Sequence, residues 1–189
     1  MHAYIETIRD NPIIAAVQNR QALSRALKQR IPTVFMLGTD IFSAKASVDA
    51  AHEAGSNVFV HLDLIDGLAA TPKALDYVRN RISPSGIIST KPSLIRYGRD
   101  QGLFCIQRFF MVDSASYESA LKTVRKTKPS MVELMPGIIP DVIRRFTSEV
   151  SVPVIAGGLI TQPRQVIDVL AAGALGVSTG REELWKENA

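Results

Sequence analysis

The stretch from Pro153 to Ser178, PVIAGGLITQPRQVIDVLAAGALGVS, holds one complete unit of the fold. Pro153 to Ala156 and Ala174 to Ser178 are short apolar runs of strand length. Between them Gln162-Pro163 offers a helix start with proline at the first helical position. Val166, Val169 and Leu170 fall on one helical face, and Gly173 supplies the permissive residue just past the helix end. A strand, a helix and a strand in this little chain imply parallel strands joined by a helical crossover.

Outward from that unit the pattern recurs. Eight apolar runs can be counted: Ile13 to Val17, Thr33 to Leu37, Asn57 to Leu62, Gly86 to Ser89, Leu103 to Arg108, Ser130 to Leu134, Pro153 to Ala156 and Ala174 to Ser178. Their starts lie 17 to 29 residues apart, close to the minimum for strand, loop, helix and loop. Thr71-Pro72 reads as an N-cap with proline behind it, and Tyr117, Leu121 and Val124 form an apolar stripe. Gly55 and Gly102 sit where the helices after the second and fourth strands should stop. Eight near-continuous apolar strands, each covered by a helix, fit a closed (β/α)8 barrel better than a doubly wound open sheet, which has fewer units and polar edges. The barrel is small, since about 200 residues marks the lower range of the fold. Short loops and a truncated last helix, Glu182 to Asn188, account for the economy. The expectation is one α/β domain over residues 1–189, with strand–helix repeats from about 13 to 185.

Composition agrees with a globular chain: 46% hydrophobic and 21% charged residues over 189 positions, with no low-complexity run. Met1 to Asp10 is polar and lacks the apolar core of a secretion signal, and the longest apolar stretches fall well short of a membrane span. A cytoplasmic protein without membrane contact is expected. The single cysteine, Cys105, lies in an apolar run and reads as a packed thiol, which excludes an intrachain disulfide and a cysteine-rich metal site. Net charge is +4. The basic clusters Arg25/Lys28/Arg30, Arg79/Arg81 and Lys122/Arg125/Lys126/Lys128 are either solvated helix faces or candidate contacts to nucleic-acid phosphates.

In a barrel of this kind the site forms where strands end and loops to the helices begin. Reading past each apolar run gives Asp40, then His61, Asp63 and Asp66, then Lys91, then Arg108 and Asp113, then Glu133 with Pro136-Gly137. Alternation puts His61 with Asp63, and Ser89 with Lys91, on shared faces, so inward-pointing pairs are expected. The last two strands end in Ala156-Gly157-Gly158-Leu159-Ile160-Thr161 and Ser178-Thr179-Gly180-Arg181, the position where many such barrels hold phosphate. Glycine lets main-chain N–H groups approach an anion, a helix N-terminus adds partial positive charge, and the Ser178 and Thr179 hydroxyls can donate. Neither a P-loop nor a dinucleotide fingerprint occurs.

These segments together resemble the glycerol uptake operon antiterminator regulatory proteins, a family with a TIM-barrel fold. The carriers include Val58 to Gly67 (VFVHLDLIDG), Gly86 to Lys91 (GIISTK), Gln107 to Ser114 (QRFFMVDS), Glu133 to Ile138 (ELMPGI), Ile155 to Ile160 (IAGGLI) and Gly173 to Thr179 (GALGVST). The likeness runs from about Pro12 to Trp185. It implies a bacterial regulator that senses glycerol 3-phosphate as effector and binds leader mRNA, letting polymerase read through a terminator upstream of glycerol-use genes. Carried over by position, Gly157, Gly158, Ser178, Thr179 and Gly180 would hold the phosphate. His61, Asp63, Lys91, Arg108, Glu133 and Gly137 would line the pocket. Lys122, Arg125, Lys126 and Lys128 are the candidate RNA contacts, because the seven phenylalanines lie mostly inside strands and cannot stack on bases.

The competing reading is a barrel enzyme acting on a glycerol phosphate or sugar phosphate, with Lys91 forming a Schiff base and Asp63 and Glu133 as acid/base partners. A third is a metabolite-binding barrel without RNA binding. Binding a phosphopolyol demands the same residue types, so the inventory does not by itself signal catalysis. No catalytic role, metal or cofactor is assigned, and exposed helix faces are compatible with a homodimer.

Overall fold

The computed structural model describes residues 3–186. Eight parallel strands close on themselves: β1 (Ile13–Val17), β2 (Thr33–Met36), β3 (Asn57–His61), β4 (Gly86–Ser89), β5 (Cys105–Phe110), β6 (Met131–Met135), β7 (Val154–Gly157) and β8 (Gly176–Thr179). Each pairs with its neighbours in the chain, and β8 closes on β1 with Ile13 opposite Val177. The (β/α)8 barrel read from the sequence is the fold observed.

Helix α1 (Ala3–Asp10) precedes β1, and the crossovers are α2 (Arg20–Lys28), α3 (Ala44–Glu53), α4 (Pro72–Tyr77), α5 (Pro92–Asp100), α6 (Ser114–Thr127), α7 (Pro140–Glu149), α8 (Pro163–Ala171) and α9 (Glu182–Trp185). The Thr71 hydroxyl accepts the Ala74 N–H at 3.2 Å, as an N-cap should. Gly55, Gly102 and Gly173 stand just past α3, α5 and α8 with positive φ, conformations that favour glycine. Helix α4 runs on through a π-turn, Val78–Ile82, that ends at Ser83 in the left-handed region. The last helix stops at Trp185, and Glu187 and Asn188, which were assigned to it, lie outside the described residues.

Side-chain alternation divides the core into two layers. Val58, Val60, Ile87, Val132, Leu134 and Val177 face outward against the helices. Ile14, Phe35, Phe59, Ile88, Ile106, Met131 and Ile155 fill the barrel itself. The floor is an addition to the sequence reading. Helix α1 buries Ile5 and Ile8 against the lower interior, and Tyr4 meets Phe59 and Phe104 edge-on at 5.5 and 5.4 Å. An eight-residue, mostly polar helix with two correctly spaced isoleucines thus plugs the barrel bottom.

Cys105 is buried, which pushes its thiol up to about 12. Among the described residues no helix is long and apolar enough to cross a membrane.

Candidate functional site

The interior parity that seats Phe59, Ile106, Met131 and Ile155 in the barrel continues upward to His61, Arg108, Glu133 and Gly157, with Ser178 joining from β8. These five positions make the top layer. Glu133 is fully buried and Arg108 is 6% exposed. The Arg108 Nε–H donates to Glu133 Oε2 at 2.6 Å, and the Ser178 hydroxyl donates to Oε1 at 2.5 Å. A Cβ on Gly157 would lie 2.5 Å from both Glu133 Oε1 and Ser178 Oγ, so only glycine leaves room for this carboxylate.

Glu133 fixes the arginine through Nε alone. The two Nη groups form no further hydrogen bond with described residues, and Arg108 lines a cavity of about 360 Å³ with Gly158, Thr161, Gly180 and Arg181. The main-chain N–H groups of Gly158, Leu159 and Gly180 donate to no other described residue. Gly158 and Leu159 both have positive φ, 78° and 61°, so the turn after β7 departs sharply from the strand. Free guanidinium edges and free main-chain N–H groups on one small cavity suit an oxyanion such as phosphate.

The hydroxyls expected to help are committed elsewhere. Ser178 and Thr179 are both inside β8, where alternation sends them to opposite faces. Ser178 donates its hydroxyl hydrogen bond to Glu133, and Thr179 donates to the Ile160 carbonyl at 2.9 Å while accepting the Arg181 N–H. The start of α8 is likewise occupied: the Gln165 side chain accepts the N–H groups of Thr161 and Gln162, and Pro163 has none to offer. Of the donors expected at these two turns, the main-chain N–H groups of Gly158 and Gly180 are unpaired among the described residues, and the Ser178 and Thr179 hydroxyls are not. Gly137 serves packing, since a Cβ there would sit 2.7 Å from the Gly157 nitrogen.

His61 and Asp63 do come together, though not by simple alternation, because Leu62–Leu64 forms a 3-10 turn. His61 points into the barrel and is 3% exposed. Burial foremost, and then the neighbouring Arg108, push its imidazole down to about 4 against the pull of Asp63, so the ring is neutral near pH 7. Its Nδ1 finds no hydrogen-bond partner among the described residues. Asp63 accepts from the Ser89 hydroxyl at 2.7 Å and from the Thr90 N–H and hydroxyl at 2.8 Å each. Burial alone would raise this carboxyl, but those bonds and His61 outweigh it and hold the acid below its usual range.

Ser89 and Lys91 are not an inward pair, because Ile88 takes the interior position of β4. Lys91 is exposed on the rim, where its ammonium donates to the Ala70 carbonyl at 3.3 Å. Asp40, Asp66 and Asp113 stay outside the central layer. Asp40 accepts from Phe42, Ser43 and the Ser43 hydroxyl, closing its own turn beside a shallower recess of about 620 Å³ between the loops after β1 and β2. Asp113 caps α6. That recess is larger, but its only buried polar side chain is Ser47 and its acids are spent or solvated, so the smaller cavity over Arg108 is the candidate site.

Lys122, Arg125, Lys126 and Lys128 are all exposed at the C-terminal end of α6, which is the barrel end opposite the mouth. Cations there also complement the helix dipole. The phenylalanines are less sheltered than expected: Phe42 is 89% exposed on the loop after β2, and Phe110 is exposed at the end of β5.

Residues 13–185 match the family described as glycerol-3-phosphate responsive antiterminator. The chain belongs to that family. A crystal structure of a glycerol uptake operon antiterminator regulatory protein from Listeria monocytogenes superposes with a TM-score of 0.90 at 37% identity, over 93% of this chain and 95% of that one. An antiterminator-related protein from Thermotoga maritima gives 0.82 at 28% identity, over 93% and 98%. YgcP of Escherichia coli K12 is 32% identical over 181 residues, 96% of this antiterminator-family chain and 95% of its own. Aldolase barrels also superpose, with TM-scores such as 0.73 at 12% identity, which bears on the fold alone. The family is one of regulators, and the likeness read from the sequence is the family found.

Proposed function

We propose that this antiterminator-family barrel is a cytoplasmic sensor of glycerol 3-phosphate that controls glycerol-use genes by binding leader mRNA. The observation that carries the ligand reading is the Arg108 guanidinium, held by buried Glu133 through Nε while its Nη groups share a cavity with the unpaired N–H groups of Gly158, Leu159 and Gly180. The phosphate takes these donors. The neutral His61 ring and the remaining mouth groups recognise the hydroxyls of the glycerol part. Asp63 accepts three hydrogen bonds from protein donors and Glu133 two, which commits both carboxylates to holding neighbouring groups in place. Lys91 is exposed on the rim, where it donates to the Ala70 carbonyl, and does not line the cavity over Arg108. Both features favour a binding role over turnover.

The basic end of α6, with Lys122, Arg125, Lys126 and Lys128, is the proposed RNA contact. It lies at the far end of the barrel from the ligand, so the effector acts by favouring one state of the protein rather than by touching RNA. Two titrations test the reading. Glycerol 3-phosphate at about 100 times Kd raises stability by about 2.7 kcal/mol, visible as a melting shift that glycerol does not produce. Charge reversal of Lys122, Arg125 and Lys126 weakens leader-RNA binding and flattens its salt dependence. Identical melting curves with and without glycerol 3-phosphate reject it as the ligand, and unchanged RNA affinity in the reversals rejects this face.

A further inference from the structure

Nine large apolar side chains are exposed among the described residues, and seven of them stand at the barrel mouth. Phe42 and Leu64 lie on the loops after β2 and β3. Phe110 and Val112 mark the end of β5, Ile138 and Ile139 follow β6, and Leu159 follows β7. Val112 is 84% exposed and Leu159 is 68% exposed. Leu159 also holds a φ of 61°, which a leucine adopts only at a steric cost. A soluble monomer scatters such residues, whereas their concentration on one end marks an interaction surface.

The charges on the same rim indicate what covers it. Arg20 follows β1, Lys91 follows β4 and Arg181 follows β8, all exposed; Asp113 and Asp141 stand at the starts of α6 and α7. When two copies of one mouth face each other across a two-fold axis, the loop order of the partner runs in reverse. An axis over the loops after β3 and β7 brings Leu64 against the partner's Leu64 and Leu159 against the partner's Leu159. The same axis sets Arg20 over the partner's Asp113, Arg181 over the partner's Asp141 and the Phe42 ring over the partner's Lys91. Arg20, Arg181 and Lys91 then each face a carboxylate or an aromatic ring, and apolar side chains lie on the axis, with the exposed Asp66 beside them on the loop after β3. A nucleic acid would meet the exposed carboxylates of Asp66, Asp113 and Asp141 interspersed with those three cations, and phosphates repel the carboxylates.

We propose that the mouth is a self-complementary interface and that the chain forms a two-fold dimer, mouth to mouth, about that axis. The dimer covers the cavity over Arg108, so ligand exchange waits on dissociation. It leaves the basic ends of α6 free at the two outer poles. The proposal stands on the rim residues and does not depend on which ligand the cavity takes.

Sedimentation velocity on the full chain, over a wide concentration range, provides the test. The unaltered chain dimerises. Leu64→Lys and Leu64→Glu each set like charges against themselves on the axis, so each weakens the dimer at least tenfold while an equimolar mixture of the two restores it. Leu64 is half-exposed, and unchanged melting curves for the separate variants show that folding is intact. A chain that is monomeric at every concentration, a dimer that neither variant weakens, or a mixture that stays monomeric overturns the proposal. A monomer whose leader-RNA binding is lost in Phe42→Ala overturns it too, and assigns the rim to nucleic acid.

Discussion

Replacing Glu133 by Gln keeps the shape of the side chain but removes the counter-charge of Arg108. Glu133 is fully buried and Arg108 is 6% exposed, with 2.6 Å between Nε and Oε2, so solvent screens the pair little. Stranding one partner of a buried pair costs about 3–5 kcal/mol. Because Nη1 and Nη2 open on to the cavity, water recovers part of the loss, and the lower end of about 3 kcal/mol is expected. For a domain of this size that lowers Tm by about 6–12 °C. Arg108→Leu with Glu133→Leu removes both charges together, and this double variant is more stable than Glu133→Gln because no buried ion is left unpaired. Urea unfolding can be followed through Trp185, the single tryptophan, which is buried and donates its indole N–H to the Thr179 carbonyl at 2.9 Å, one residue beyond Ser178. A Glu133→Gln loss below about 1 kcal/mol, the range of an exposed pair, or a double variant less stable than the single, refutes the account of this layer.

Stability should fall as pH drops from about 6.5 to about 4, because the unfolded chain protonates His61 over this window while the folded ring, displaced to about 4, resists. The loss attributable to that group is about 3 kcal/mol, and pH-dependent melts of His61→Gln should lack that part of the slope; an identical slope would remove His61 from the explanation. Gly157→Ala drives a Cβ to 2.5 Å from the carboxylate and from the Ser178 hydroxyl, costing about 1–3 kcal/mol by overpacking. Gly180→Ala meets only the Ala16 carbonyl at 3.4 Å and changes denaturant midpoints much less; equal effects would contradict the steric argument. Arg108→Lys retains charge but cannot hold Glu133 with one donor and offer a fork to the ligand, so calorimetry should find glycerol 3-phosphate bound about 10- to 100-fold more weakly, against unchanged affinity if the guanidinium is not a ligand contact.

The barrel was legible because strands buried on both faces read as unbroken apolar runs, and Thr71, Gly55, Gly102 and Gly173 mark helix ends by mechanisms that act locally. Two strands kept both expected ends and the other six moved by at most two residues at either end. The fifth strand continues past Arg108 to Phe110 because Phe109 and Phe110 pair with Leu134 and Met135 of β6, a partnership with no local signature. Helix α1 was missed as a plug, since two buried isoleucines in a mostly polar eight-residue helix reveal a floor only once the barrel above them exists. The exposure of Phe42, on a loop, and of Phe110, at a strand end, was hidden for a related reason: a hydrophobic residue near a strand end shows its surroundings only once the sheet closes.

The candidate site was legible as a place and less so as a set of atoms. Strand ends identified Arg108, Glu133, His61 and the two glycine turns, but hydrogen-bond capacity is finite, and a hydroxyl can donate only once. Ser178 donates to Glu133, Thr179 donates to Ile160 and Gln165 accepts the N–H groups ahead of α8. What remains for an anion is largely main chain, at Gly158, Leu159 and Gly180, together with the outer edge of one arginine. Glycines mark from sequence where such main-chain donors can gather, but the N–H of Leu159 has no such marker and which hydroxyls are already committed shows only in the geometry. It follows that Ser178→Ala should register first in stability, by loosening Glu133, and in ligand affinity only to the extent that Arg108 shifts with it.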